Sequence, residues 1–198
     1  MKQVLQFKIT LSDTEPAIWR RIQIAENTTF WDLHVAIQDA MGWQDYHLHQ
    51  FIILSNAKGI VPQQAFIGVP DDEFDNDIIA GWETPLDEYL TPNYRIIYEY
   101  DFGDSWEHEI IFEGAFPRVT GQKYPCCLAG EMACPPEDVG GIPGFYNFVE
   151  GMANKKHPEH KDMTEWFGGK FDPQKFDASK VKFHNAKIRL KNMLAEID

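Results

Sequence analysis

Two runs of alternating apolar and polar residues, interrupted by Asp101-Phe-Gly-Asp104, constrain the fold of this chain more than any other feature. A period of two is typical of half-buried β-strands, and Asp and Gly favour tight turns. The pattern therefore predicts strands over residues 94–100 and 108–113 joined by that turn. Positions 101–108 contain two aspartates, a glycine, Trp106 and His108. Functional side chains commonly lie at such a junction between two strands.

The first 54 residues show the same alternation and then a helical period. Apolar residues recur at the 3-4-4 spacing of a helix over 30–41, which Thr29 caps and Gly42 ends. We expect strands at residues 4–11, 18–24 and 48–54. The predicted order is thus strand, strand, helix, strand.

The predicted elements together give an α+β fold built on one mixed β-sheet. We expect the strand–strand–helix–strand half to be β-grasp-like, and C-terminal helices with a long Gly- and Pro-rich loop to cover the sheet. No linker divides the chain, so we expect a single domain over 1–198, with 114–198 as a candidate helical and loop subdomain. The other predictions are an acidic loop at 69–77, a short helix at 84–90, an irregular loop at 114–141, and helices at 144–154, 157–167 and within 179–197.

The charge balance limits the partners of this chain, which has 198 residues and a formal net charge of −13. An acidic surface repels phosphate groups, so nucleic acid is disfavoured as a partner. No apolar run reaches the roughly 18 residues of a membrane span, and no signal-peptide core is present, so we expect a cytoplasmic protein without membrane contact. One basic cluster, interpreted as a solvated helix face rather than a DNA-binding surface, comprises Lys180, Lys182, Lys187, Arg189 and Lys191.

The turn at 101–104 carries the residue types of a cation site. Asp101, Asp104 and His108 supply carboxylate and imidazole groups, which suit a divalent metal. His47 and His49 lie two apart in a predicted strand, hence on one face, and could add nitrogen ligands. The alternative, which we favour, is structural: the aspartates accept backbone hydrogen bonds within the turn, and His108 is a hydrogen-bonded strand residue.

A second acidic pair, Glu137 and Asp138, stands between two prolines and two glycines. Proline fixes the approach of the backbone and glycine allows close contact, so the carboxylates are held rigidly. They could bind a cation. They could also hold Arg20 or Arg21 in a bidentate clasp that ties the loop to the first hairpin, and we favour the clasp. A shared site requires that residues 101–104 and 137–138 meet in space.

Several motifs occur in order along nearly the whole chain. They are Trp19-Arg-Arg-Ile22, residues 33–43, His47-Leu-His-Gln-Phe51, residues 98–108, residues 135–141, Trp166, Phe171-Asp-Pro173 and Phe176-Asp177. With these motifs the chain resembles the plasmid pRiA4b ORF-3-like family. The resemblance implies the family fold and no particular catalytic residue. Some members are named for a passenger protein of a bacterial insertion element with a resolvase-like label, which implies association with mobile DNA.

Three functional hypotheses follow from these features. The leading one is a non-enzymatic binding or interaction module of unknown ligand, associated with mobile elements. The first alternative is a metal-dependent, hydrolytic enzyme with a divalent cation as cofactor, built on Asp101, Asp104, His108, Glu137 and His47. The second alternative is a DNA-binding accessory protein that uses the C-terminal lysines.

Overall fold

A computed structural model describes residues 2–55, 64–70 and 78–197. It contains eight β-strands, four α-helices and one 3₁₀ turn at Ala178–Lys180. The strands are β1 (Gln3–Leu11), β2 (Trp19–Ala25), β3 (His49–Ser55), β4 (Gln64–Gly68), β5 (Ile78–Ala80), β6 (Tyr94–Tyr100), β7 (Trp106–Pro117) and β8 (Cys126–Glu131). The helices are α1 (Phe30–Met41), α2 (Gly141–Ala153), α3 (His160–Phe167) and α4 (Ala186–Ile197).

All eight strands form one mixed sheet in the order β5-β4-β3-β6-β7-β1-β2-β8. Neighbours are antiparallel except β4 and β5, which are parallel. The predicted strand pair around the 101–104 turn is present as β6 and β7, with Tyr98 opposite His108. The expectation of an α+β fold with a mixed sheet is therefore confirmed.

The sheet has one buried and one polar face because side chains alternate along each strand. In β1, Phe7 and Ile9 are fully buried, whereas Lys8 between them lies on the opposite, polar face. The buried face of the neighbouring strands continues this layer with Ile22, Phe51 and Tyr98. Phe145 and Phe148 of α2 belong to the same hydrophobic cluster, so the two halves of the chain share a core.

Helix α1 lies between the sheet and the C-terminal segment. Thr29 caps it: its hydroxyl accepts from the backbone of Asp32, whose carboxylate accepts from the backbone of Thr29 in return. Gly42 ends the helix at φ 96°, a left-handed conformation that suits glycine. On the outer side, the Trp31 indole donates to the Ala186 carbonyl at 2.9 Å. The helix therefore buries every residue except Asp32.

Several expectations about the fold require correction. The short helix at 84–90 is replaced by turns, because the backbone there pairs with the segment before α1: Leu86 donates to the Thr28 carbonyl, and Thr29 bridges Pro85. The 114–141 segment is not wholly irregular. It completes β7 and contains β8. Strand β8 is held by backbone pairing to β2, and no local sequence pattern indicates this pairing.

The β-grasp-like arrangement is not confirmed, because β6 and β7 stand between β3 and β1 in the sheet. Residues 71–77 of the predicted acidic loop lie outside the described residues. In the three described ranges, none of the helices has the length and apolar character needed to cross a bilayer.

Candidate metal centre

The β6–β7 turn is built by Asp101. Its Oδ1 atom accepts hydrogen bonds from the backbone of Gly103 at 3.0 Å and of Asp104 at 3.3 Å. Asp101 itself adopts a left-handed φ of 56°, which Asp and Asn tolerate better than other residues that carry a side chain. One carboxylate oxygen therefore organises the turn, and Oδ2 is left for another partner.

The loop that precedes α2 meets this turn directly. Asp104 Oδ2 accepts a hydrogen bond from the backbone N–H of Gly140 at 3.1 Å. Gly141 follows, and a Cβ atom there would lie 2.8 Å from the Asp104 carbonyl oxygen, so only glycine fits without displacement. The glycines after Glu137-Asp138 thus allow the two acidic segments to lie side by side.

His47, just before β3, lies between the two segments. Its Nε2 atom is 3.6 Å from Asp101 Oδ2 and 3.0 Å from Asp138 Oδ1, and the three atoms all lie within 4.8 Å of one another. Metal–ligand bonds of about 2.1 Å place neighbouring ligand atoms about 3.0 Å apart in an octahedron and about 3.4 Å apart in a tetrahedron. In this cluster, His47–Asp101–Asp138, the two distances from the imidazole nitrogen to the carboxylate oxygens are therefore close to the edge lengths of a coordination polyhedron.

The directions of these contacts matter as much as their lengths. Nε2 of His47 is buried and forms no hydrogen bond of acceptable geometry, although a carboxylate oxygen lies at 3.0 Å. A hydrogen bond requires the N–H to point at its acceptor. Here the oxygen lies off that axis, so the imidazole nitrogen and the carboxylate are close together without a well-directed hydrogen bond between them.

Left-handed backbone conformations are concentrated around this cluster. Asp101, Asp138 and the nearby Asp45 have φ values of 56°, 57° and 64°. Such a conformation costs about 1 kcal/mol for a residue with a side chain, less for Asp, and persists where the surrounding structure fixes it. Backbone strain of this kind is often found at binding sites.

Glu137 is an anchor beside the cluster and does not belong to it. Its carboxylate accepts from the Gln44 backbone at 2.7 Å, and both of its oxygens lie 3.2 Å from the Tyr100 hydroxyl. Burial raises the pKa of Glu137. Burial, and then the Glu137 charge, raise the pKa of Tyr100, so the phenol stays protonated and donates. Glu137 therefore fixes the loop that carries Asp138.

The sequence comparisons fit this architecture. A model of the family described as plasmid pRiA4b ORF-3-like protein matches residues 3–180. The chain belongs to this family. The chain is also similar to the uncharacterised protein y4hQ of Sinorhizobium fredii, which is 35% identical over 167 residues, or 83% of this chain and 81% of that protein.

A solved structure extends the comparison. The crystal structure of MM3350, a protein of unknown function from Methanosarcina mazei Go1, matches with a TM-score of 0.82 and 38% identity. The match covers 92% of this chain and 99% of that chain. The names of these two similar proteins state no activity.

The predicted arginine clasp is wrong. Arg21 lies on the polar face of the sheet and pairs with Glu113 through two contacts of 2.7 and 2.8 Å. Arg20 lies on the buried face, donates to the carbonyls of Ala40 and Glu131, and stacks on the Phe176 ring at 3.7 Å. Within the described residues, neither guanidinium pairs with Glu137. Alternation along β2 sends the two side chains to opposite faces, away from the loop.

His108 and His49 do not join the cluster either, because both side chains point into the core. His108 contacts the Tyr98 carbonyl through Nδ1 at 3.3 Å, and burial lowers its pKa to about 4. The His49 ring stacks on His34 at 3.4 Å and 6°, and burial holds the pKa of His49 well below its usual range. Two parallel stacked rings cannot aim their in-plane lone pairs at one ion, so His34, Asp45 and His49 make a poor chelate despite their proximity.

The structure therefore divides the candidate residues predicted from sequence. It brings together His47, Asp101 and Asp138, with Asp104 and Glu137 holding the surrounding loops. It places His49 and His108 elsewhere. Sequence reasoning missed His34 and Asp45, which lie 2.9 Å apart through Nε2 and Oδ1. A histidine on the buried stripe of a predicted helix was the one signal that could have indicated His34.

The basic C-terminal cluster is partly neutralised. Arg189 turns inward, with Nη2 at 3.3 Å from Asp39 and Nη1 at 3.5 Å from Asp45. Lys180 lies 3.7 Å from Asp177. Fewer cations therefore face solvent than the sequence implies, which weakens the case for a phosphate-binding surface.

Proposed function

We propose that this protein is a binding module whose ligand-binding group is a divalent metal ion held by His47, Asp101 and Asp138. The observation that carries the proposal is the convergence of the three ligand atoms within 4.8 Å, with the imidazole nitrogen lacking a well-directed hydrogen bond. Imidazole with carboxylates suits zinc, manganese and iron(II) better than calcium or copper(I).

Electrostatics support the same proposal. Asp101 is largely buried, and its carboxylate lies near that of Asp138. Two carboxylates at this distance repel each other, and a divalent cation between them removes the repulsion and balances both charges. Asp138 is the exposed member, with 64% of its side chain accessible, so an ion held there keeps coordination positions open to solvent.

Elemental analysis of protein purified without a histidine tag, followed by calorimetric titration with Zn²⁺ and Mn²⁺, tests the proposal. We expect one ion per chain. Asp138→Asn should weaken binding about 100-fold or more, since even the loss of an outer-sphere partner costs 10- to 100-fold. Asparagine tolerates the left-handed backbone at 138, so the variant is expected to fold.

Asp104→Asn is the matched control, because it removes the same charge from the same junction, while its amide oxygen can still accept the hydrogen bond from Gly140 that holds the loop. We expect its affinity for metal to change by no more than about three-fold, the effect of a nearby surface charge. Absence of stoichiometric metal from the wild type, or equal affinities in Asp138→Asn and the wild type, would contradict the proposal.

The mobile-element context rests on the family resemblance, and the binding-module function rests on the anchoring role of Glu137. Among the carboxylates next to the cluster, this one has three hydrogen-bond contacts and serves as an anchor. A general base needs a free acceptor oxygen directed at its substrate. The site therefore favours ligand binding over proton-transfer chemistry.

A metal-dependent hydrolase is the second candidate, and the exposed side of Asp138 is the observation that favours it. Three protein ligands with open positions are typical of catalytic metal sites. Metal-loaded protein should be assayed with p-nitrophenyl acetate and bis(p-nitrophenyl) phosphate. Turnover that is lost in Asp138→Asn and retained in Asp104→Asn would support the hydrolase, and no turnover of either substrate would count against it.

A further inference from the structure

A groove of about 310 Å³ lies between α2 and α3, next to the metal centre, and of the proposed metal ligands only Asp138 lines it. Its α3 side is a single stripe, since positions 159, 162, 163 and 166 follow the i, i+3, i+4, i+7 spacing of one helical face. The stripe carries two carboxylates, Met163 and Trp166. Such a mixture is unusual for a face that packs against a neighbour.

The apolar floor of this groove is fixed from below. Phe148 of α2 is buried, and the Trp166 ring meets it edge-on at 5.7 Å and 80°. Phe148 in turn contacts Phe167 and Phe171, so the ring beneath Trp166 is held on several sides. Trp166 nevertheless remains 53% exposed. The indole is thus positioned by the core while a large part of its surface faces solvent.

The rim of the groove carries three carboxylates, of which Asp138 lies 3.0 Å from His47, whereas the two on the α3 side have no cationic partner among the described residues. Asp138, Glu159 and Asp162 line it, and all three are exposed. Across residues 2–55, 64–70 and 78–197, no lysine or arginine lies within ion-pair distance of any of them. The nearest basic residue in sequence, Lys161, pairs instead with Glu165 at 3.7 Å, on another side of α3. The Glu159 carboxylate accepts a hydrogen bond from the neutral amide of Asn147 at 3.1 Å.

We infer that this groove binds an arginine side chain from a basic segment of a partner protein. An arginine combines an aliphatic stem for the Met163 surface, a planar cation that stacks on an indole, and a donor array that pairs with carboxylates. Trp166 with Glu159 and Asp162 supplies the complementary groups in one face of one helix. The inference does not depend on the metal centre, because α3 contributes none of the proposed ligands of that centre.

Fluorescence anisotropy with a labelled peptide that alternates arginine and glycine tests this inference at low ionic strength. A peptide with citrulline in place of arginine is the matched ligand control, because citrulline keeps the shape and loses the charge. We expect saturable binding of the arginine peptide and no comparable binding of the citrulline peptide. In an NMR titration, the arginine peptide should also shift the indole N–H resonance of Trp166.

Two protein variants make the result specific. Glu159→Gln combined with Asp162→Asn should weaken binding about five-fold, since each surface carboxylate contributes a factor of two to three. Glu165→Gln removes a charge from the same helix outside the groove and should leave affinity within about two-fold. If circular dichroism shows that the double variant is unfolded, Trp166→Leu takes its place, with the same expected loss.

Absence of binding by the wild type would overturn the inference, as would equal affinities in the wild type and the groove variant. An equal loss in Glu165→Gln would show attraction by net charge alone and would also overturn it. The metal affinity of Asp138→Asn tests the metal centre, and the peptide affinity of the α3 variants tests the groove. Because the two measurements are separate, a negative result in one does not contradict the other proposal.

Discussion

At the scale of single residues, Gly141 determines how closely the α2 loop can approach the β6–β7 turn. Its φ of 65° is left-handed, and a Cβ atom would lie 2.8 Å from the Asp104 carbonyl oxygen. Backbone on one side and a helix N-terminus on the other leave little room for adjustment. The proximity of Asp138 to Asp101 therefore depends on a residue that makes no contact with either carboxylate.

Gly141→Ala should destabilise the protein by about 2 kcal/mol, the sum of a left-handed alanine and a forced displacement of the turn. Gly169→Ala is the control, because no atom lies within 4 Å of its Cβ position and its φ is not positive. Urea unfolding of the three proteins measures the difference. Equal stability of Gly141→Ala and the wild type would mean that the loop moves freely against the turn.

His108 is a second residue whose surroundings predict a measurable effect. Burial lowers its pKa from 6.5 to about 4, so the folded protein keeps the His108 imidazole in its neutral form. Its contribution to stability is fully present above about pH 6.5 and is lost as the pH falls toward 4, because the unfolded chain takes up the proton first. The loss expected at about pH 4.5 is between about 2 and 3 kcal/mol.

His108→Phe isolates this effect, since phenylalanine keeps a ring against Trp43 and does not titrate. Between neutral pH and about pH 4.5, the wild type should lose about 2 to 3 kcal/mol more of its free energy of unfolding than the variant. Urea titrations at the two pH values measure both losses. The same decrease in both proteins would show that the folded state protonates His108 without penalty.

At the scale of elements, α1 owes its position to its termini as well as to its apolar surface. The cap at Thr29 and the left-handed end at Gly42 satisfy backbone groups that would otherwise be unpaired in a buried helix. Gln38 and His34 on this helix reach the Tyr98 hydroxyl at 2.9 Å each, so α1 also holds a polar contact inside the core. Tyr98 itself is fully buried, which raises its pKa.

Thr29→Ala should cost about 1 kcal/mol of stability, because it removes the hydroxyl that accepts from the Asp32 backbone and donates to the Asp32 carboxylate, and leaves only the backbone donation from residue 29 to that carboxylate. Thr120→Ala, at an exposed turn position, serves as the control and should change stability by less than about 0.5 kcal/mol. Thermal unfolding followed by circular dichroism compares the two. A cap variant as stable as the control would mean that tertiary packing alone fixes the start of α1.

At the scale of the whole molecule, charge is the dominant property. The net charge is −13, and Arg189, one of the five residues of the C-terminal basic cluster, turns inward to Asp39. Association with a phosphate backbone requires gathered cations, and its strength increases as salt is lowered. A basic protein partner fits this charge distribution better than a nucleic acid does.

We expect no shift of a DNA duplex in a gel titration, even at low salt, because phosphate contacts are strongest there. A lysozyme-like basic protein added to a parallel lane serves as the positive control for the probe. A shift that weakens steeply with salt, and that is reduced in Lys182→Gln with Lys187→Gln, would restore the DNA-binding alternative.

Much of the fold was predictable because its pattern is local. The β6 strand matches the predicted range of 94–100, and α1 matches 30–41, since alternation and the 3-4-4 spacing are written in consecutive residues. Strand β8 was not predictable, because Cys126–Glu131 becomes a strand only through its pairing with β2. The predicted helix at 84–90 is absent because its backbone pairs with the loop before α1, and this non-local pairing overrides the local helical pattern.

By itself, the sequence determined the strand periodicity, the capped helix, the acidic charge and the residue types at 101–104 and 137–138. Tertiary structure alone decided which of those residues meet. His47 reaches Asp101 and Asp138 because it precedes β3 and is outside the strand alternation that sends His49 into the core. Arg20 and Arg21 point to opposite faces of β2, because a one-residue change of position reverses the face of a strand. The sequence supplies residues that can act as ligands. Whether they meet depends on the order of the strands and on how closely the loop before α2 approaches the β6–β7 turn, and contacts between distant parts of the chain determine both.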